Sequence, residues 1–353
     1  MRVLFCGLGG IGQRHLRNLR SLVSESELEV HAYRVLGRNE KLRDDLSIDP
    51  YRSIIEDYKI LVHTDLQLAL AVKPEIVFIC NPSSLHTNIA LQAAKSGAHL
   101  FIEKPVSNTL NGIGNLINIV NSLGLVCYVG YNFRFHPALI RIKELLQQGY
   151  FGKILSVRSE IGEYLPNWHR YEDYRSMYAS RSDLGGGVVL SQIHEMDLLF
   201  WYFGMPESIY TLGGKLSHLE IDVEDTATSL MKYSGSFGNF SVALHQDYLQ
   251  QPPVRTFKVV GDSGIAQVDL IRNNLVIHNA NGEIVEHSNG NDFKRNDMFL
   301  AQMKHFLETV SGRTNPKVNL YDGIQSLRIA LAAKESMSSQ SVVFLKQDFS
   351  NEG

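Results

Sequence analysis

Three glycines in the first dozen residues have the spacing of a phosphate-binding loop. Gly7, Gly9 and Gly12 form a G-x-G-x-x-G pattern between the apolar run "RVLFCG" and the helix-like stretch "IGQRHLRNLRSLV". In such a loop the first glycine permits a tight turn, the second lets backbone amides approach a pyrophosphate, and the third lets helix and strand pack closely. The flanking strand and helix favour dinucleotide binding over a purely structural turn. Gly10 and Ile11 complete the predicted cofactor loop.

The end of the second predicted strand bears on the choice between NAD and NADP. An acidic residue there would bind the ribose 2′-hydroxyl, whereas an arginine would suit a 2′-phosphate. This chain has Tyr33 and Arg34 at that point, with Arg38 just beyond. Arg34 could pair with a phosphate or stack on adenine, although a solvated surface arginine fits the same pattern. The lack of an acid predicts NADP over NAD.

A lysine follows another buried apolar run. The strand "HLFI" leads directly into Glu103, Lys104 and Pro105. Ligands of a parallel α/β sheet bind beyond the carboxyl ends of its strands, so we expect Glu103 and Lys104 beside the cofactor. A lysine there can hydrogen-bond a substrate hydroxyl or share its proton. The alternative is an ordinary surface lysine.

The preceding strand ends in "CNPSSLH". Asn81 and Pro82 end the strand, which places them at the same predicted cofactor edge. His86 falls in the first turn of the following helix, where it is either within reach of a ribose or packed against the protein.

Ser191, His194 and Asp197 stand three residues apart in "GGGVVLSQIHEMDLLFWYFG". This spacing predicts one face of a single helix, on which a histidine could move a proton near neutral pH. A Ser/His/Asp hydrolase is disfavoured because no nucleophile elbow surrounds Ser191. A metal site is disfavoured because further ligands are missing. The alternative is a core helix with one satisfied histidine.

Two element patterns divide the chain and position these residues. Through about residue 120, apolar strand-like runs alternate with helix-like stretches, among which we count "KLRDDL". This alternation predicts a parallel sheet with helices on both faces. Later strand-like runs follow one another across turns such as "GDSG" and "NANG", which predicts a largely antiparallel sheet. Helices are predicted near 137–148, 187–203, 296–311 and 321–338.

The fold class is therefore α/β, with a doubly wound parallel sheet followed by an α+β domain that has an open, mostly antiparallel sheet. We place the first domain at residues 1–124 and the second at 125–353, and we expect helix 321–338 to pack back on the first. A chain of 353 residues fits two domains at roughly 150 residues each.

Composition narrows the function class. The chain is 44% hydrophobic and 20% charged with a formal net charge of −3, which gives no sign of a nucleic-acid partner. Cys6, Cys80 and Cys127 are scattered in apolar runs without metal spacing, as expected of buried thiols in a reducing compartment. We see no signal peptide and no apolar run near the ~20 residues of a membrane span, so we expect a cytoplasmic protein without membrane contact.

Together, "GLGGIGQRH", "NPSSLH", "EKPVS", "GYNFRFHPAL" and "GGG…HEMD" resemble, in order, the motifs of the Gfo/Idh/MocA family of NAD(P)-dependent oxidoreductases. The resemblance covers essentially the whole chain. It implies a Rossmann domain, a substrate domain with an open sheet, and hydride transfer to or from carbinols of sugars, inositols or nucleotide sugars. It also implies that Lys104 lies near the reacting hydroxyl, that His194 is the acid/base and that Asp197 is the family's following aspartate. The open sheet implies a homo-dimer or homo-tetramer.

One position departs from the resemblance. Relatives with this histidine motif usually have an aspartate three residues earlier, where this chain has Ser191. A serine cannot supply the charge that would raise the pKa of His194. The departure predicts an altered mechanism, a different substrate or a loss of dehydrogenase activity. The last outcome would leave a non-catalytic protein that binds a dinucleotide or a sugar.

The substrate side is predicted from two segments. Asn132, Arg134 and His136 follow the fifth strand and could face the cleft, where Arg134 could hold a carboxylate or phosphate. The segment "EYLPNWHRYEDYRSMYASRSD", with Trp168, could enclose a sugar ring, or it could pack on itself or on another subunit.

Overall fold

A computed structural model describes residues 1–35, 39–169 and 171–346. The first part of the chain contains these elements in order: β1 (Arg2–Cys6), α1 (Gly10–Leu22), β2 (Glu29–Tyr33), β3 (Glu40–Leu42), β4 (Ile48–Ser53), α2 (Ile54–Asp57), β5 (Leu61–His63), α3 (Leu66–Ala71), β6 (Ile76–Ile79), α4 (His86–Lys95), β7 (His99–Ile102), α5 (Ile113–Ser122) and β8 (Cys127–Val129).

Six of these strands form the predicted parallel sheet, in the order β5-β2-β1-β6-β7-β8. Every residue of β6 is fully buried, as expected of a central strand covered by helices on both faces. Burial raises the pKa of the Cys6 and Cys127 thiols to about 12, which leaves them as small apolar side chains. The carboxyl ends of β1, β6 and β7 meet at one edge of this sheet.

The second part of the chain contains α6 (Pro137–Gln147), β9 (Ile154–Gly162), α7 (Val188–Ser191), α8 (His194–Phe203), β10 (Ser208–Gly214), β11 (Thr226–Tyr233), β12 (Phe240–Asp247), β13 (Val254–Gly261), β14 (Gly264–Asp269), β15 (Asn274–Asn279), β16 (Ile284–Asn289), α9 (Arg295–Val310), α10 (Leu320–Ser339) and β17 (Val343–Phe344). Nine strands form one sheet in the order β16-β15-β14-β13-β9-β12-β11-β10-β17. Among the described strands of this second sheet, only the β9–β12 pair is parallel, so the mostly antiparallel prediction is confirmed.

The helix predicted at "KLRDDL" is wrong. Its first residues form β3, which pairs with β4 in a small hairpin. The cause is the side chain of Gln13 on α1, which donates to the Glu40 carbonyl at 2.9 Å and accepts from the Leu42 amide at 2.8 Å. This distant side chain holds the backbone extended, against the local helical pattern.

The single helix predicted over 187–203 is also wrong. α7 ends at Ser191, and α8 begins at His194. The break at Gln192 is held by reciprocal contacts with β12. The Gln192 amide donates to the Asp247 carbonyl at 2.8 Å, and Gln246 donates to the Gln192 carbonyl at 3.0 Å. Ser191 and His194 therefore stand on two helices that meet at a turn.

The two sheets share a helix. β8 lies past residue 124 and is the edge strand of the first sheet. α10 packs on that strand, since a Cβ added at Gly323 would lie 2.7 Å from Val129 and 3.3 Å from Val106. The same helix reaches the second sheet, where the Ser336 hydroxyl accepts from the Thr211 amide at 2.9 Å. None of the described helices has both the length and the apolar character needed to cross a bilayer.

Candidate functional site

The glycine loop has the shape of a phosphate cradle. Gly7 has φ +98°, and a Cβ there would lie 2.9 Å from the Asn81 amide nitrogen. A Cβ at Gly12 would lie 2.3 Å from the Gly7 carbonyl oxygen, so the turn and the start of α1 require glycine at both positions. A Cβ at Gly9 would meet no atom within 4 Å. Gly9 therefore faces open space at the amino end of α1, where Gly10 and Ile11 present backbone amides suited to an anion.

The ribose end of the predicted cofactor site lies at the end of β2. Tyr33 ends β2, and the Arg34 guanidinium donates to the side chain of Asn39 at 3.3 Å. Arg38 lies outside the described residues. The strand end carries no acid, as the sequence indicated.

His86 ties two strand ends together. Its Nδ1 lies 2.9 Å from the Pro105 carbonyl and its Nε2 lies 2.8 Å from the Asn81 carbonyl. The side chain is 1% exposed, so both of its ring nitrogens are occupied within the protein. This places His86 beneath the cofactor edge, where it positions Asn81, Pro82 and the turn after β7 rather than presenting a free face.

Glu103 is paired with a histidine that sequence reasoning did not single out. Glu103 Oε1 lies 2.6 Å from His15 Nε2, and both side chains are buried. His15 projects from α1, directly after the glycine loop, and it is the last letter of the "GLGGIGQRH" motif. The pair anchors α1 to the end of β7, next to the predicted cofactor site.

Lys104 connects the two domains. Its Nζ donates to the Ser191 backbone carbonyl at 2.7 Å. The remaining N–H groups of this ammonium can serve another acceptor, since a lysine has three donors. The Ser191 side chain itself is 3% exposed, so the residue contributes its carbonyl to this contact.

His194 stands at the start of α8, within the electrostatic field of Lys104. Its ring lies 4.8 Å from that of Phe133 and 5.7 Å from that of Tyr131. No hydrogen-bond partner among the described residues reaches its buried Nδ1. Burial lowers the pKa of His194 well below 6.5, and the charges of Lys104, Arg255 and Arg295 lower it further. The imidazole is therefore neutral at neutral pH, the form that can accept a proton.

Asp197 and Arg134 are engaged with each other. Arg134 donates to the two carboxylate oxygens of Asp197 at 3.0 and 2.7 Å, and Ser326 donates to the same carboxylate at 3.0 Å. A second acid, Asp322, lies 3.2 Å from Arg134. Burial raises the pKa of Asp197, and Arg134 opposes that rise. Both side chains are consumed in a buried ion pair that joins the segment after β8 to α8 and α10.

The other predicted substrate residues also pack against the protein, and Trp168 is only half-buried. Asn132 is 3% exposed and His136 is 4% exposed. His136 lies 3.4 Å from the Asn273 side chain and 4.6 Å from the ring of Phe293. Trp168 packs edge-on against Tyr248 at 5.2 Å. The partners described for His136 and Trp168 do not include Lys104 or His194, and the substrate role of all three residues stays a prediction.

A second arginine reaches His194 from the nine-stranded sheet. Arg255, on β13, donates through Nε to Glu195 at 2.7 Å and lies 4.1 Å above the Phe133 ring. Burial raises the pKa of Glu195, and Arg255 opposes that rise. The sequence signal was weak, because Arg255 stands 60 residues from its partner. The one indication of a buried cation in the sequence was Glu195, the acidic residue that follows His194 in "HEMD".

Comparisons with known proteins cover the same two halves. A family model described as "Oxidoreductase family, NAD-binding Rossmann fold" matches residues 1–131, and one described as "GFO/IDH/MocA C-terminal domain" matches residues 139–267. Myo-inositol 2-dehydrogenase of Thermotoga maritima is 24% identical, over 98% of this chain and 99% of that protein. The scyllo-inositol 2-dehydrogenase (NAD(+)) of Bacillus subtilis is 23% identical, over 95% and 94%. The solved WlbA dehydrogenase from Bordetella pertussis, in complex with NADH and UDP-GlcNAcA, superposes with a TM-score of 0.78 at 20% identity over 99% of both chains.

Proposed function

Because the chain belongs to the Gfo/Idh/MocA family of oxidoreductases, we propose that it transfers a hydride between a nicotinamide dinucleotide and a carbinol or keto carbon of a sugar, sugar acid or nucleotide sugar. Relatives that act on inositols, and one solved with a nucleotide sugar, support this substrate range. The comparisons offer nothing in favour of a non-catalytic role. The observation that carries the proposal is the contact between Lys104 and Ser191, which brings a lysine of the first domain beside His194 of the second.

The glycine loop would hold the dinucleotide. The open space over Gly9 and the start of α1 would take the pyrophosphate, while Asn81, Pro82 and Lys104 would border the nicotinamide at the ends of β6 and β7. When bound, the nicotinamide supplies the hydride acceptor or donor. The remaining work of binding, orienting and moving a proton falls to this chain's own side chains.

His194 is the proposed proton acceptor in the oxidation direction. Its imidazole is neutral, so it can take the carbinol proton without first losing one. Lys104, held by the Ser191 carbonyl, would donate a hydrogen bond to the same substrate oxygen. Ser191 stands where the family usually has an aspartate. Its backbone carbonyl fixes Lys104, and its side chain adds no charge beside His194.

Cofactor selectivity follows from the end of β2. We propose that NADP is preferred, because Arg34 stands where an acid would bind the 2′-hydroxyl. One relative, the scyllo-inositol 2-dehydrogenase of Bacillus subtilis, is named for NAD(+), so the ratio of kcat/KM for the two cofactors is the direct measurement. Arg34→Ala should lower kcat/KM with NADP more than with NAD. Equal losses would contradict the preference.

The proposed assembly is a homo-dimer or homo-tetramer through the open sheet. Leu212 on β10 and Leu230 on β11 are 57% and 56% exposed, and exposed apolar side chains on a sheet suit a subunit interface. Light scattering after gel filtration measures the mass directly. A purely monomeric protein at micromolar concentration would contradict this assembly.

Single substitutions test the catalytic assignment. Lys104→Ala and His194→Ala should each abolish turnover over a panel of sugars, inositols and nucleotide sugars, while fluorescence titration still detects dinucleotide binding. Lys59→Ala and His287→Ala change an exposed lysine and an exposed histidine distant in sequence and should leave turnover intact. Near-normal rates in Lys104→Ala and His194→Ala would rule out the assigned roles.

A further inference from the structure

Cations converge on His194 from three parts of the chain. Lys104 comes from the end of β7, Arg255 from β13 and Arg295 from the first residue of α9, and each of them acts electrostatically on the imidazole. Arg255 and His194 lie against the same aromatic ring, at 4.1 Å and 4.8 Å from Phe133. One phenyl ring therefore connects the arginine to the proposed proton acceptor.

Arg255 is held in place for a ligand. Its Nε and Nη2 both lie 2.7 Å from Glu195 Oε1, on the residue next to His194. Within the described ranges, no acceptor reaches its Nη1. The side chain is 11% exposed, and its Glu195 contact and Phe133 stacking fix the orientation of the guanidinium. A fixed guanidinium with an unused edge is suited to a planar anion.

Arg295 is the second arginine of this group. It is exposed, and no described side chain forms an ion pair or hydrogen bond with it. Its position is unfavourable to a positive charge, because it opens a 16-residue helix whose amino end is itself positive. Arg14 and Arg255 add like charge nearby, and Glu163 is the opposing carboxylate within range. Partial loss of hydration lowers the pKa of Arg295.

We propose that the substrate carries an anionic group on the same sugar unit as the reacting carbinol, bound by Arg255 and Arg295. Since Arg255 and His194 lie near the same ring, that of Phe133, the anion belongs to the sugar being oxidised rather than to a remote nucleotide diphosphate. A carboxylate matches the fork of a guanidinium in two parallel hydrogen bonds, as does a phosphate ester. The proposal rests on the proposed function for the position of the reacting carbon.

Binding to the intact protein tests the anion site without requiring turnover. Calorimetric titrations in the presence of saturating NADP or NAD would compare D-glucuronate, D-glucose and D-glucose 6-phosphate, together with D-galacturonate and D-galactose. At least one acid should bind about tenfold or more tightly than its neutral parent. Tighter binding of the uronate identifies a carboxylate, and tighter binding of the phosphate identifies an ester. If no anionic sugar of the panel outbinds its parent, the proposal is overturned.

Two substitutions assign the effect to its residues. Arg295→Ala should reduce the acid-to-neutral affinity ratio about tenfold or more, and Arg255→Lys should reduce it while keeping a charge opposite Glu195. Arg272→Ala changes an arginine that is 83% exposed in the turn between β14 and β15, and it should leave the ratio unchanged. An unaltered ratio in Arg295→Ala overturns the proposal, as does a loss confined to dinucleotide affinity. Absence of hydride transfer with every sugar would instead count against the proposed function alone, because the affinity ratio is measured separately.

Discussion

The charge state of His194 decides which step of the reaction it can perform. Burial at the start of α8 disfavours its protonated form, and the cations of Lys104, Arg255 and Arg295 add to that effect. An aspartate at position 191 would oppose these contributions, whereas Ser191 cannot. The His194 imidazole is therefore unprotonated at neutral pH and can act as a base. No carboxylate at position 191 is present to stabilise its protonated form.

This arrangement predicts a pH profile. A base whose pKa is lowered below 6.5 stays unprotonated as the pH falls, and it loses function only below that lowered pKa. The kcat/KM for oxidation should remain level from pH 8 to pH 6.5 and decline only at lower pH. Ser191→Asp should raise the pKa of His194, because a nearby negative charge favours the protonated imidazole, and the loss of activity at acidic pH should begin at a higher pH. Ser191→Asn is the uncharged control. If the kcat/KM of the wild-type protein already declines at or above pH 6.5, the prediction is contradicted.

Breaking the ion pair between Asp197 and Arg134 tests whether Asp197 has a structural or a catalytic role. Removal of the carboxylate would leave a guanidinium that is 3% exposed without its bidentate partner. We expect Asp197→Ala to lower the free energy of unfolding by about 3–5 kcal/mol, as measured by urea denaturation. Asp173→Ala, which breaks an exposed pair with Arg175, should have little effect. Normal stability with lost turnover in Asp197→Ala would instead make this aspartate catalytic.

At the scale of elements, the local sequence pattern predicted the helices and strands correctly where contacts between residues close in sequence determine the backbone conformation. The alternation of apolar runs and helices predicted the parallel sheet, and the turn residues predicted the later antiparallel strands. Local pattern failed at "KLRDDL" and at Gln192, where side chains from α1 and β12 hold the backbone away from a helix. The motifs likewise identified Lys104 and His194, but the sequence carried no signal for the partner of Arg134, 63 residues away.

The turn between β1 and α1 allows folding and cofactor binding to be separated. Gly9→Ala places a methyl group where no atom lies within 4 Å. Gly12→Ala places a methyl group 2.3 Å from the Gly7 carbonyl oxygen. We expect Gly9→Ala to keep the Tm of the wild type and to weaken dinucleotide binding, measured by fluorescence titration. Gly12→Ala should lower both. Gly114→Ala on α5 also has open space around its Cβ and should not weaken binding; equal affinities for Gly9→Ala and wild type would contradict a phosphate cradle.

At the scale of the whole molecule, two sets of contacts join the two sheets. In the first set, α10 packs against Val129 of the first sheet and bonds to Thr211 of the second. In the other, Lys104 bonds to the Ser191 carbonyl, and Ser83 donates to the Gly185 carbonyl at 3.1 Å. Elements joined in this way should unfold together, because exposing one sheet uncovers the contacts of the other.

This connection predicts that a ligand of the first domain stabilises the second. Both tryptophans, Trp168 and Trp201, lie beyond the first sheet, so their fluorescence reports on the second domain. Dinucleotide at about 100 times its Kd should stabilise the folded chain by about 2.7 kcal/mol. The tryptophan-detected Tm and the calorimetric Tm should then rise together in a single transition. Two calorimetric transitions, with the tryptophan signal unmoved by dinucleotide, would show instead that the domains unfold independently.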